Sequence, residues 1–354
     1  MSKATYLSVI AVALLGMGSC GGASRHLAFV SLTGENEIAA YRIENNTGKF
    51  TNVVGSPYFG GNSPTSLLVH PSYKFAYAAN QVGNDISLFS VDNNIGSISE
   101  ILPRTATGVS PVSIALNRTG TLLFASNNVS GSISVYSVNA GSGALTQVSG
   151  SPFATLPNPG ALAVTPSGNF LYVVNSNLLS VAGYAIGPSG ALQQVPGSPF
   201  LLTSGPFGIA MDPGGKFLYV TNPSTNALTV LSIASNGALA VVPGTPITAG
   251  TSPVAVAVHP SGQYVYVANQ ESNNVSAYSI AANGTPTQIT DSPFTVVSAP
   301  TFVTWDPNGK WLYVGGQTSR EISEYQFTTT NGTLAPSLQS ITTGVAPTSI
   351  GLTQ

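Results

Sequence analysis

A proline returns every 47 or 48 residues along the chain: Pro64, Pro111, Pro159, Pro206, Pro253, Pro300 and Pro347. A repeat of this length means that each unit is one supersecondary module, which must bury its faces against its neighbours. The units read alike. An alternating apolar run follows the proline, as in PVAVAV, and then a turn such as HPSG, TPSG, DPGG or DPNG. An aromatic and β-branched run comes next (YVYVAN, FLYVTN), then a polar loop and a third run such as NVSAYSI. A Gly-bearing hairpin signal (SNG, TNG) leads to a fourth run that closes on GSPF or a relative. Period-two alternation predicts strands. Four of them in about 45 residues predict a β-propeller blade.

Counting the units predicts an all-β, seven-bladed propeller. Six complete units lie between Pro64 and Ala346. The tail PTSIGLTQ from Pro347 supplies one strand, and the segment from His26 to Asn62 supplies three (LAFVSL, IAAYRI, FTNVV). Together they form a seventh blade that joins the two chain ends. We number this closing blade 1. Closure is a physical requirement, because an open ring would expose blade faces and strand edges. The first strand of each blade runs down from the upper face. The one–two and three–four turns therefore lie below, and the two–three and four–one loops lie above with the channel mouth.

Charged residues make up 6% of the chain and the net charge is -2. Ordinary domains carry about 25% charged residues. This chain has no basic field for nucleic acid. At the N-terminus Lys3 precedes YLSVIAVALLGM, an apolar run short of the roughly 20 residues that span a bilayer. It fits a secretion signal over residues 1–19. The run ends in MGSC, which resembles a lipobox and implies a lipid on Cys20, the only cysteine. Residues 20–25 then form a flexible tether, and the propeller runs over 26–354. The expected address is the bacterial cell envelope, with the membrane reached through the lipid alone.

Positions that recur in every blade read as structure. Where strand one turns into strand two stand His70, Asn117, Thr165, Asp212, His259 and Asp306, and all of these types hydrogen-bond local backbone at turns. His26 lies just beyond the tether, so no histidine remains as a general base. Asn80, Asn127, Asn175, Asn222 and Asn269 end strand two and read as caps of the two–three loops. Tyr77, Tyr172, Tyr219, Tyr266 and Tyr313 read as blade packing, with Trp305 and Trp311 in the core. Lys74, Arg118, Lys216 and Lys310 fall in the lower one–two turns.

The YVTN-like runs (Tyr219 to Asn222, Tyr266 to Asn269), the PSG turns and the seven units resemble the lactonase-type seven-bladed propeller family. That family includes 6-phosphogluconolactonases and carboxymuconate-cyclising enzymes. The resemblance implies lactone hydrolysis by His or Arg one or two residues after some blade-opening prolines. Here those pairs are Thr65-Ser66, Val112-Ser113, Gly160-Ala161, Phe207-Gly208, Val254-Ala255, Thr301-Phe302 and Thr348-Ser349. None is His, Arg or an acid. The residues therefore favour a binding module for an envelope protein, a glycan or a small polar ligand, with no cofactor, no metal and no identified catalytic residue. The resemblance implies the alternative, a lactone hydrolase with an atypical site.

Two candidate binding regions emerge. One is the channel mouth around Thr65, Phe207, Thr301 and Phe302. The other is an upper-face arc where the repeat breaks. The first residue of strand three is Glu37, Asp85, Ser132, Ser180, Ala227, Asn274 and Glu321 around the ring, so acids fall in blades 7, 1 and 2. Glu35, Arg104 and Arg320 lie in the same arc, Arg104 standing where other blades have the Pro of SPF.

Overall fold

The computed structural model describes residues 25–353; the signal segment and Cys20 lie outside them. Seven antiparallel sheets follow one another around a ring. Blade 1 joins Ser349–Leu352 to Arg25–Leu32, Glu37–Glu44 and Phe50–Asn52. Blades 2 to 7 open at Pro64, Pro111, Leu162, Ile209, Pro253 and Pro300. The two chain ends meet in register, with Ser31 opposite Ser349 and Ala28 opposite Leu352. Side chains reinforce the seam: Thr348 Oγ1 lies 2.9 Å from Ser31 Oγ, and Leu27 N–H donates to Thr353 Oγ1 at 2.8 Å.

The fourth strand departs from the expected single run. In blades 1 and 3 to 6 it breaks into two pieces on the same third strand, as with Leu145–Gln147 and Phe153–Ala154. The GSPF motif marks the break. Its hydroxyl fills the gap by accepting a third-strand N–H: Ser56 from Ala40, Ser151 from Val135, Ser198 from Gly183, Thr245 from Val230 and Ser292 from Ala277. Blades 2 and 7 lack the motif, and their fourth strands run unbroken over Ile98–Ala106 and Leu334–Thr342.

The core lies between blades rather than within them. Phe75, Tyr77 and Leu88 of blade 2, for example, pack on Ile114, Leu116 and Tyr136 of blade 3. The three–four hairpin glycine of each blade slides against the second strand of the blade before it. A Cβ on Gly284 would sit 2.3 Å from Phe217, and one on Gly48 would sit 2.8 Å from Trp311. Both glycines have positive φ, so no other residue fits the turn or the space. The Gly48 contact joins blade 1 to blade 7, so the closing seam uses the same joint as the rest. Second-strand tyrosines add a bond across the joint, from Tyr77 to Gly143 O at 2.7 Å and from Tyr172 to Gly237 O at 2.8 Å.

Candidate functional site

The channel mouth is built from side chains that stitch blades together. The innermost strands Pro64–Val69, Pro111–Leu116 and Pro253–Val258 are buried along their whole length. Thr65 is fully buried, and its hydroxyl lies 3.4 Å from both Ala79 O and Pro111 O. Thr301 Oγ1 lies 3.1 Å from Gly315 O and 2.9 Å from Pro347 O. The same carbonyl of the next blade-opening proline accepts from Thr33 at Pro64, from Asn128 at Pro159 and from Ser176 at Pro206. Phe302 lies inside the core with Trp311, Tyr313 and Ile322. Gly315 makes room for its ring, since a Cβ there would fall 2.1 Å from it. Phe207 is half-buried against the core of blades 6 and 7. Thr65 and Phe302 thus present nothing to solvent at the mouth. Thr65 is spent on the joint between blades, and Phe302 fills space that glycine leaves open.

The turn histidines also have structural partners. In His259 the Nδ1 atom accepts Ser261 N–H at 3.1 Å, so the proton sits on Nε2, which donates to Gly309 O at 2.9 Å. His70 does the same with Ser72 and Gly120. Burial lowers the pKa of both rings, which favours the neutral form. Asp306 fills the equivalent turn by accepting N–H groups from Asn308, Lys310 and Trp311. Asp212, Asn117 and Thr165 hold their own turns in the same way. Thr353 supplies the seventh, across the chain ends.

The five loop asparagines are fully buried. In blades 2, 3 and 6 the amide donates to the first residue of strand three: Asn80 to Asp85 at 2.6 Å, Asn127 to Ser132 at 3.1 Å and Asn269 to Asn274 at 2.7 Å. This divides the acidic arc. Asp85 accepts that bond in blade 2, so it has a structural role there, whereas in blades 4 and 5 Asn175 and Asn222 donate to loop carbonyls instead. In blades 1 and 7 Leu32 and Gly316 stand where the asparagine would be, so Glu37 and Glu321 have no such duty.

Arg104 is anchored by a residue that the repeat pattern did not reveal. Its Nε donates to Glu100 at 2.6 Å, and Ser87 Oγ donates to the same carboxylate at 2.8 Å. The guanidinium lies 5.2 Å from the Phe59 ring of blade 1. The carboxylate beside it holds the guanidinium charged. Glu321 accepts from Ser340 at 3.3 Å within its own blade, while Glu35 and Arg320 are exposed. The arc is therefore a set of neighbouring charges rather than a converging pocket. Among the described residues no three His, Cys, Asp or Glu side chains gather as a metal site.

Two further features lie outside the candidate positions read from the repeat. Glu324 replaces an apolar third-strand residue in blade 7 and is 1% exposed. Burial raises its pKa to about 8. It lines a surface groove of about 410 Å³ with Lys49, Phe50, Gln339 and Ser340, at the seam between blades 7 and 1. The second feature is a run of exposed apolar side chains on the upper loops of blades 2 to 4: Val82, Val109, Val129, Leu178, Leu179 and Leu201. The corresponding loops of blades 5 to 7 carry Ser224, Glu271 and Thr318. Single loop residues give no periodic signal, so only the folded ring shows that the apolar ones are neighbours.

The seven-bladed ring agrees with what known proteins show. The family model for "Lactonase, 7-bladed beta-propeller" matches residues 21–154 and 164–351. No curated protein matches the chain. Among solved structures, a candidate 6-phosphogluconolactonase of Bacteroides fragilis superposes with a TM-score of 0.82 at 21% identity, covering 94% of this chain and 98% of its own. The periplasmic gluconolactonase of Pseudomonas aeruginosa gives 0.80 at 19% identity, covering 94% and 99%. At such identities these two likenesses speak to the fold. The family match spans most of the sequence, and the chain belongs to the lactonase family of seven-bladed β-propellers.

Proposed function

We propose that this lactonase-family propeller is a lipid-anchored envelope protein that binds through its upper face, without lactone chemistry at its channel mouth. One observation carries the reading. The two residues after each blade-opening proline are uncharged and none is histidine, and Thr65, Thr301 and Thr348 spend their hydroxyls on neighbouring backbone. Lactone hydrolysis needs a base or metal to activate water, and donors for the oxyanion. The mouth offers no base, while the upper loops offer an apolar run on blades 2 to 4 beside the charges Glu35, Glu37, Arg320 and Glu321. Apolar area rimmed by charge suits an envelope protein partner. The MGSC run supports the anchor at Cys20.

A second reading keeps hydrolysis but moves it to the groove at the seam. It rests on Glu324, whose pKa is held near neutrality, as general bases require. One experiment separates the readings: the full chain is mixed with 6-phosphogluconolactone or gluconolactone and ring opening is followed. We expect no rate above spontaneous hydrolysis. A clear rate that Glu324→Gln abolishes would establish the second reading and overturn the first.

A further inference from the structure

The scarce charges of this chain are sorted by face. The lower turns carry Lys49, Lys74, Arg118, Lys216 and Lys310, in blades 1, 2, 3, 5 and 7; the last is half-buried and the other four are exposed. Of the acids below, Asp212 and Asp306 are buried with their carboxylates occupied by backbone N–H groups. Only Glu44 and Asp92 are left as exposed lower acids among the described residues. The upper loops show the opposite sign, with Glu35, Glu37, Asp85, Glu271 and Glu321 against Arg104 and Arg320. Arg104 is already neutralised by Glu100. Counted by side chain, the lower turns hold five basic groups to four carboxylates, two of them buried, and the upper loops hold five carboxylates to two arginines, so the exposed charge is biased basic below and acidic above.

The chain also enters the ring on the basic side. Arg25 pairs with Glu44 at the bottom of its strand, beside the three–four hairpin of blade 1. Four residues lie between it and Cys20, and the five steps reach about 17 Å when extended. A tether that short lets the lower face come within the roughly 8–10 Å over which exposed charges act in physiological salt.

We propose that the lower face docks on an anionic bilayer surface, so that the upper face points away from the membrane. The orientation relative to the tether rests on the anchor reading of Cys20. The affinity of the lower face for anionic headgroups does not. A basic residue near an anionic surface contributes about fivefold to binding. Lys74, Arg118 and Lys216 together should then contribute on the order of 100-fold.

The test is flotation of the full chain with two kinds of vesicle: phosphatidylcholine alone, and equal parts phosphatidylcholine and phosphatidylglycerol. Binding to the neutral vesicles reports the anchor, and the difference between the two reports the lower face. We expect the anionic vesicles to bind more tightly, with the excess fading as salt rises. The variant Lys74→Gln/Arg118→Gln/Lys216→Gln should lose most of that excess and keep its neutral binding. These side chains are exposed, and a melt by circular dichroism checks that the variant is folded. The salt dependence of the wild type tests the same electrostatic contact without any variant. Equal binding to both vesicles, an excess insensitive to salt, or an excess retained by the folded triple variant would each overturn the proposal. Absent binding to neutral vesicles would count against the anchor alone.

Discussion

The lower turns and the upper loops of this propeller use their residues in opposite ways. Below, side chains as different as Thr353, His70, Asn117, Asp212 and Asp306 perform one task, closing the turn between strands one and two. Above, equivalent positions diverge: Asp85 accepts from an asparagine, Glu37 faces no such donor, and Val82 and Val129 stand exposed where Ser224 and Glu271 occupy other blades. Sameness of role despite different chemistry marks structure. Difference of role at the same place marks a surface free to take on a specific partner. The basic side chains of the lower turns are compatible with both, because the cap residues do the structural work and leave the next positions free.

The sharpest way to break this comparison is to remove the strand through which the two chain ends share blade 1. Deleting Pro347 to Gln354 takes away the innermost strand of blade 1 and the Thr353 cap. We expect loss of most of the roughly 5–15 kcal/mol that keeps such a domain folded. Thermal melting should show no cooperative transition near that of the intact chain, and an unchanged melt would refute the closing-strand account.

The seam gives a smaller, pH-dependent effect. The folded pKa of Glu324 is raised to about 8, above its unfolded value of about 4.5. The folded state therefore holds a proton that the unfolded state releases, and its stabilising contribution is complete below about pH 4.5. That contribution falls by about 1.4 kcal/mol per pH unit as pH rises toward 8. Urea titrations across this window should show wild-type stability declining, and Glu324→Gln should flatten the slope. A wild-type slope that the substitution leaves intact would assign it to other groups.

The least effect is expected at the histidines. His70→Asn with His259→Asn keeps the local cap, as Asn117 does, and loses the bonds to Gly120 and Gly309. The cost should be about 0.5–1.5 kcal/mol for each bond, read from the same titrations. A loss several times larger would mean that these turns are not interchangeable.

Most of the fold was legible in the sequence because a repeat of seven units averages out local ambiguity. The proline period, the alternating strands and the shared blade 1 all appear in the ring as read. The split fourth strand was not legible, since GSPF looks like the end of a strand; the gap and the hydroxyl that fills it exist only once the third strand lies alongside. The candidate site was less legible. Thr65 and Phe302 sit beside the channel by position, yet blade stitching and the space above Gly315 turn them inward. Asp85 looked equivalent to Glu37 and Glu321 until the buried amide of Asn80 came into view. Glu324 was hidden for the opposite reason: it is a single departure inside an otherwise apolar position, and its burial depends on Lys49 and Phe50 from the far end of the chain.

The central claim is that the two faces have different tasks, the lower toward an anionic membrane and the upper toward a partner. Hydrogen exchange of the full chain, measured alone and on phosphatidylglycerol-containing vesicles, addresses it directly. The account predicts that the lower turns at residues 70–74, 117–121 and 212–216 gain protection on the vesicles, while the upper loops at 81–84, 128–131 and 223–226 exchange as before. Protection of the upper loops with the lower turns unchanged would contradict it.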